Sequence, residues 1–438
     1  MKLRYAIVGT GARAEMFARA LTAEHRDTCE LVALADPNPV RLAVHNARLP
    51  APVPTYAAAD FTEMLAKERV DVAVVTTVDR VHDEYIVAAL EAGCDVLTEK
   101  PMTVDAPRSK RILDAVRRTG RSVKVTFNYR YNPLHEAVKR VIASGEIGEI
   151  GSVHFEWLLD VRHGADYFRR WHRNKADSGG LLVHKSGHHF DLVNWWLDDL
   201  PAEVFASGRR FFYGTEGARH GYARDYERAH GAPAAADDPF AIALDGDPTL
   251  KALYLDAEAA DGYQRDRNVF GPGITIEDDL AVLVRYGRGA TMTYHLTAYA
   301  PWEGYRVMFN GSRGRLELEV VESDHVAPAA AATVKGFGTP AEQGYWSLRA
   351  HPYWAPPRDL PVTGYERKGH GGADGRMLAD LLDPHAPADP LGRTADAEAG
   401  ARALLVGLAA NESIATGRPI ATHTLDAGIA EHHGIANA

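Results

Sequence analysis

Cysteine is nearly missing from this chain: Cys29 and Cys94 are the only two in 438 residues. That excludes a disulfide framework and a four-cysteine zinc site. A basic balance is missing too. Lys plus Arg number 49 against 59 Asp plus Glu, a formal net charge of −10, so no electrostatic case exists for nucleic acid or an anionic membrane as partner. Nowhere do about 18 uncharged apolar residues run together, which excludes a hydropathy-defined membrane span. The opening MKLRYAIVGTG enters a short apolar strand and a glycine turn with no h-region or small-residue cleavage site, and the expected location is cytoplasmic. What is present is ordinary for a globular chain, 46% hydrophobic and 25% charged, and long enough for two or three domains. The exception is twenty histidines, side chains that titrate near neutrality and bind metals.

Residues 1–127 alternate strand and helix. Apolar runs at Leu3 to Val8, Leu31 to Ala35, Val72 to Thr76, Asp95 to Thr98 and Ser122 to Phe127, with a further short strand near Val53, read as strands. Helical spacing falls between them, over Ala12 to His25, Pro39 to Ala47, Asp60 to Lys67, Val81 to Ala92 and Ala106 to Thr119. The unbroken β-branched run at Val72 marks a parallel strand buried on both faces. The fold class expected is therefore α/β, with a doubly wound parallel sheet at the N-terminus.

Gly9-Thr10-Gly11-Ala12-Arg13-Ala14 fits G-x-G-x-x-G/A between strand and helix, and Asp36 follows at the end of the second strand. There Gly9 permits a tight turn, Gly11 lets the backbone approach a pyrophosphate, and Asp36 accepts from the adenosine ribose hydroxyls. This favours NAD. Arg41 keeps NADP open, since it is placed either to pair a 2′-phosphate or to lie on a solvated helix face. Glu99-Lys100-Pro101 closes the fifth strand, where doubly wound sheets present ligand-contacting groups; in isolation it reads equally as a salt-bridged loop. Trp171-His172-Arg173 leads through Ser178-Gly179-Gly180-Leu181-Leu182 to His184-Lys185-Ser186-Gly187-His188-His189-Phe190-Asp191. If helical, His184 and His188 are i, i+4 neighbours.

Together, the glycine turn, Glu99-Lys100-Pro101, the Thr76-Thr77 to His82 loop and the segment 179–191 resemble the Gfo/Idh/MocA family, which comprises glucose–fructose oxidoreductase, inositol dehydrogenases and their relatives. The resemblance covers residues 1–200 by motif and the remainder by architecture. It implies an NAD(P)-binding Rossmann domain at 1–127 and, at 128–438, a C-terminal α/β domain on an open, mostly antiparallel sheet. It also implies NAD(P)-dependent oxidation or reduction of a sugar, cyclitol or related polyol, and a homo-oligomer, dimer or tetramer. Lys100 matches the family's catalytic lysine and His188 its catalytic histidine. His184 stands where many members have aspartate. An aspartate would orient the histidine four residues on, whereas a histidine can itself shuttle the proton. His188 is thus expected as the base, and His184 as base or substrate contact.

The expected cofactor contacts are Gly9, Gly11, Ala12, Arg13, Asp36, Arg41, Thr76, Thr77, His82, Glu99, Lys100 and Asn128. The expected substrate contacts are Lys100, Arg130, Trp171, Lys185, His188, His189 and His370. Arg130 fits a domain-interface salt bridge equally well, and His370, within Gly369-His370-Gly371-Gly372, fits a sheet-capping turn. No metal is expected: His-x-x-x-His is a known ligand spacing, but no His-Glu-x-x-His motif occurs. Period-two strands follow helix His135 to Ser144, at Gly151 to Leu159, Glu203 to Tyr213, Leu280 to Tyr286, Ala290 to Thr297, Tyr305 to Asn310 and Arg315 to Val321. Arg376 to Leu382 and the Ala-rich 395–416 read as helices. The insertion at about 214–279, with Tyr222, Tyr226, Tyr254, Tyr263, Arg265 and Arg267, is expected as a lid or subunit contact. Ala329 to Ala332 reads as a low-complexity loop. Three functions are compatible: an NAD-dependent sugar or cyclitol dehydrogenase, a glycosidase that oxidises a ring hydroxyl transiently and eliminates the aglycone, and a non-catalytic dinucleotide sensor.

Overall fold

The computed structural model describes residues 2–326, 344–367 and 370–429. The loop at Ala329 to Ala332 and residue Gly369 lie outside these. The strands, in chain order, begin with β1 (Leu3–Val8), β2 (Cys29–Asp36), β3 (Thr55–Ala57), β4 (Val72–Val75), β5 (Asp95–Thr98) and β6 (Val123–Val125). They pair in parallel in the order β6-β5-β4-β1-β2-β3. β4 is buried along its whole length, as an unbroken apolar run covered on both faces must be. The order reverses at β1, between β4 and β2, and there the glycine turn leaves the sheet.

The second sheet holds β7 (Ile150–Asp160), β8 (Pro201–Arg209), β9 (Asp279–Tyr286), β10 (Thr291–Ala300), β11 (Glu303–Gly311), β12 (Gly314–Ser323), β13 (Tyr345–Pro352) and β14 (Arg358–Asp359). β15 (Ala395–Asp396) and β16 (Ile420–Ala421) follow. The nine strands run β14-β13-β12-β11-β7-β10-β9-β8-β16, antiparallel except for β7 with β10. Burial alternates along β9 and β10, so one face is packed and one is open.

The division at residue 127 is not a clean one. β15 adds an antiparallel edge to β6, and helix Ala373–Leu382 buries Ala373, Met377, Leu378 and Leu382 in the cluster that holds Ile7 and Phe17. The Ala-rich stretch forms helix Ala397–Thr416 and joins both halves. A Cβ on its Gly400 would come within 2.8 Å of Val125, and one on Gly407 within 2.5 Å of the Leu182 carbonyl. Small residues there let one helix lie tightly against both sheets.

Candidate active site at the carboxyl ends of the parallel strands

Three strand ends converge on the cleft: Gly9 after β1, Thr76 and Thr77 after β4, and Glu99 and Lys100 after β5. Gly9 has φ of +91°, and a Cβ there would meet Thr77 N at 2.6 Å, so only glycine fits. Thr76 Oγ1 donates to the Gly9 carbonyl at 2.6 Å. Around Gly11 a Cβ would meet nothing within 4 Å, which leaves the main chain through Ala12 open to a ligand. Asp36 accepts from the main-chain N–H groups of Thr10 at 2.6 Å and Asn38 at 2.7 Å. These features fit a dinucleotide: a glycine turn with free space above it and a carboxylate fixed at the end of β2. Two buried atoms also lack partners among the described residues, Thr10 Oγ1 and Asn128 Oδ1.

Arg13 is held between carboxylates, its Nε on Glu99 at 2.5 Å and its Nη2 on Asp374 at 3.2 Å. Asn128 Nδ2 donates to Asp374 at 2.7 Å and meets His370 Nδ1 at 2.9 Å, while His370 also meets Asp374 at 3.0 Å. His370 thus belongs to the cleft, on the Arg13 side. Burial opposes ionisation of Asp374, but His370 and Arg13 hold its carboxyl well below the usual range.

At the centre is a row of three groups from three elements. Asp79, in the turn after β4, lies 2.5 Å from His184 Nδ1, and His184 Nε2 lies 3.4 Å from Lys100 Nζ. Lys100 Nζ also donates to the His184 carbonyl at 3.3 Å. Burial drives each towards its uncharged form: Asp79 upward, against the Lys100 charge, and Lys100 and His184 downward. His172 meets the His184 ring edge-on at 4.1 Å and stacks on half-buried Trp171 at 3.6 Å.

His188 takes a different place. Its ring stacks on Tyr129 at 4.4 Å, and its Nδ1 is buried without a partner among the described residues. Burial and the Lys100 charge both depress its proton affinity. The segment is two short helices, Leu181–His184 and Gly187–Leu197. Between them Ser186 N–H reaches back five residues to the Leu181 carbonyl. That extra residue per turn rotates the second helix against the first, so the two imidazoles face different partners rather than stacking as i, i+4 neighbours.

Several expected contacts need correction. His82 is fully buried, with Nδ1 against the Pro101 carbonyl at 2.9 Å and Nε2 against that of Thr77 at 3.1 Å. It braces two cleft loops, with both ring nitrogens against main-chain carbonyls. Arg41 Nε donates to the Leu253 carbonyl at 3.1 Å and its Nη1 to Asp261 at 2.6 Å, so the insertion engages the charge that a 2′-phosphate would need. Arg130 forms a two-pronged pair with Asp191 at 2.8 and 2.6 Å, which fixes it as a buried salt bridge. Lys185 reaches the Tyr129 hydroxyl at 3.2 Å and lies over Trp157. His189 stacks on Trp157 at 4.1 Å and meets the Tyr294 hydroxyl at 2.8 Å. Both point into the packed face of the second sheet, behind Tyr129. The insertion spans the distance from β8 to β9 as short helical turns, and its Tyr222 stacks on Phe270 as ordinary packing.

Sequence reasoning missed Asp79, His172 and Tyr129 as site residues. Their only signal was position, after β4 and β6 and beside Trp171. Among the described residues no cluster of three or more potential ligands could hold a metal ion, and no helix is long and apolar enough to cross a membrane.

The chain matches the profile of the oxidoreductase family NAD-binding Rossmann fold over residues 3–127 and that of the family's C-terminal alpha/beta domain over residues 139–422. It is 35% identical over 426 residues to YteT of Bacillus subtilis (strain 168), a protein named as an oxidoreductase, covering 94% of this chain and 96% of that one. Inositol 2-dehydrogenase of Klebsiella pneumoniae (strain 342) is 34% identical over 203 residues, 45% of this chain and 56% of that protein. The aldose-aldose oxidoreductase of Caulobacter crescentus, crystallised with glycerol, shares the fold at a TM-score of 0.63 and 17% identity, covering 96% of this chain and all of that one. With both domain profiles matched in order around the cleft just described, the chain belongs to the Gfo/Idh/MocA family of NAD-binding oxidoreductases.

Proposed function

We propose that this chain transfers a hydride between NAD and a ring hydroxyl of a sugar, glycoside or cyclitol, with Asp79, His184 and Lys100 handling the proton. The observation that carries the reading is the carboxylate–imidazole–ammonium row at the ends of β4 and β5. Oxidation of a carbinol requires the hydroxyl proton to leave as the C–H bond breaks. Asp79 accepts a hydrogen bond from the Nδ1–H of His184, which leaves Nε2 as the lone-pair side. A hydroxyl that approaches within reach of both Nε2 and Lys100 Nζ gives its proton to the imidazole. Asp79 then balances the new imidazolium, and the ammonium holds the oxygen as it gains negative charge, the opposite charges of Asp79 and Lys100 supporting each other against the burial that disfavours both. Burial keeps His184 neutral at rest, ready to accept. When bound, the nicotinamide supplies the hydride-accepting carbon. The glycine turn and Asp36 would hold the dinucleotide. His188, with an unpartnered nitrogen beside the same lysine, contacts a neighbouring hydroxyl. This exchanges the roles of the two histidines relative to the resemblance.

The test is anaerobic incubation with NAD and a panel of sugars, cyclitols and glycosides, following NADH absorbance and product release together. One NADH per oxidised ring supports the proposal. Aglycone release without net NADH supports the eliminating glycosidase instead, and NAD binding with no reaction across the panel sinks both. The reading includes self-association through the open sheet face, where Phe205 and Leu283 pair across β8 and β9 at 42% and 50% exposure; sedimentation velocity reads it.

A further inference from the structure

One carboxylate near the cleft serves three guanidinium groups. Asp166, on helix Val161–Arg169, lies 2.7 Å from Arg265 Nη2, 3.1 Å from Arg170 Nε and 3.5 Å from Arg169 Nη1. Arg169 is turned away and donates to the Phe240 carbonyl at 2.9 Å. The other two keep hydrogen-bond donors in reserve, although the Arg265 guanidinium also lies over the Tyr254 ring at 5.6 Å from its centre. Arg265 is 3% exposed, yet its Nε and Nη1 have no partner among the described residues. Arg170 uses only Nε, on the Asp166 carboxylate and main-chain carbonyl, and its side chain is 25% exposed.

This surplus of positive charge is next to the chemistry. The Arg170 guanidinium lies over Tyr167 at 5.7 Å from the ring centre, and that ring is 5.8 Å from His184 and 5.7 Å from His172. A single aromatic ring thus lies between Arg170 and the imidazole assigned to proton transfer. Half-buried Trp171, stacked on His172, adds an apolar platform beside them. Enclosed guanidinium nitrogens without acceptors are costly, and an arriving anion relieves that cost.

We infer that Arg170 and Arg265 form a subsite for a carboxylate on the substrate, which makes the substrate an acidic sugar of the uronate class rather than a neutral polyol. The inference rests on reading the cleft as a polyol oxidoreductase site. A planar carboxylate matches a guanidinium fork in a way that a hydroxyl does not. The separation of Arg170 from His184 by one ring also suits a pyranose, whose carboxyl carbon and ring hydroxyls lie on opposite edges. The formal charge of −10 does not oppose this, because an enclosed cationic cluster acts locally whatever the net charge.

The experiment compares hexuronates, their methyl esters and the matching aldoses as substrates of the wild type and of Arg170→Gln and Arg170→Lys. NAD affinity is measured separately by fluorescence titration. The wild type should favour the acid over its ester by roughly 10- to 100-fold in kcat/KM, the discrimination expected of a charge-assisted hydrogen-bonded pair. Arg170→Gln should lower kcat/KM for the acid far more than for the ester, so that the preference disappears while NAD affinity is kept, and Arg170→Lys should restore part of it. Oxidation of neutral sugars without preference for acids overturns the inference and spares the proposed function. An equal loss on acid and ester marks Arg170 as structural, and weakened NAD binding assigns the arginines to the cofactor phosphates; either result overturns it. If no sugar is oxidised, the proposed function falls, and calorimetry of galacturonate against NADH-loaded protein decides the inference alone. Binding lost in Arg170→Gln supports it, and no binding overturns it.

Discussion

At the adenosine end of the cleft the polar side chains are tied to other parts of the chain, whereas at the catalytic end several are enclosed with nothing to bind. Asp36 holds two main-chain N–H groups. Asn38 reaches the Ala257 carbonyl at 2.8 Å, and Arg41 reaches Leu253 and Asp261. Among the described residues, only Arg41 Nη2 and Thr10 Oγ1 remain open there. Across the cleft, His172 Nδ1, His188 Nδ1 and Arg265 Nη1 are all without partners among the described residues. On the proposed function, one end recognises a group that is the same in every turnover and can be built rigid. On the same reading, the other keeps its bonding capacity for a substrate whose charge changes during reaction.

The largest effect should come from Lys100→Met. Losing the cation that holds the developing alkoxide is expected to cost about 1,000-fold in kcat, with NAD affinity retained. Titration of NAD fluorescence beside the turnover assay checks both, and a variant keeping a tenth of the activity would erase the contrast between the two ends. Asp79→Asn should follow at roughly 100-fold in kcat, because His184 loses the carboxylate that selects its tautomer and balances its charge. His188→Asn should fall chiefly in KM. If the two losses are reversed, the proton passes through His188 and the role exchange proposed here is wrong.

The adenosine end was legible in the sequence, and the catalytic end only by halves. Gly9, Gly11 and Asp36 lie within one strand–turn–helix–strand unit, so spacing alone locates them. Lys100 and His184 stand in recognisable motifs. Asp79 meets His184 across 105 positions of chain, and no local pattern announces such a contact. Arg265 reaches Asp166 from within the insertion for the same reason. β13 was missed because Tyr345–Pro352 alternates weakly, and β15 because two residues carry no period. Arg41 stayed open between a 2′-phosphate contact and a solvated helix face because its partner, Asp261, lies in a segment without strand or helix periodicity.

A smaller effect concerns stability against pH. Burial lowers His172, His184, His188 and His189 well below the ordinary value and pushes His135 down to about 4. The unfolded chain therefore takes up protons as pH falls through 6.5 while the folded chain does not, so stability declines on acidification from that point. Each such histidine contributes up to about 1.4 kcal/mol per pH unit between its two values. Asp79 and Asp191, raised by burial, act in the opposite sense and reduce the slope. Urea midpoints at pH 7, 6 and 5 should fall in that order; a flat series would mean that these rings are solvated. Gly9→Ala should add a strain of about 1–3 kcal/mol at a left-handed position, with loss of NAD affinity, since its Cβ would lie 2.6 Å from Thr77 N.

The smallest expected effect tests how the adenosine end chooses its nucleotide. Asp261 pairs with Arg41 at 2.6 Å and is 22% exposed, so breaking this partly solvated ion pair is expected to release about 1 kcal/mol of interaction. Asp261→Asn should then free Arg41 for a 2′-phosphate and raise NADP affinity relative to NAD by about 5-fold. Asp36 still repels that phosphate, so the single variant should remain an NAD protein. Adding Asp36→Ser removes the repulsion and should give a larger shift than the two single changes combined, because both act on one oxyanion. Affinities of both nucleotides for the four proteins, measured by calorimetry without substrate, read this directly. A purely additive result would place Arg41 outside the 2′ position and leave Asp36 as the sole discriminator.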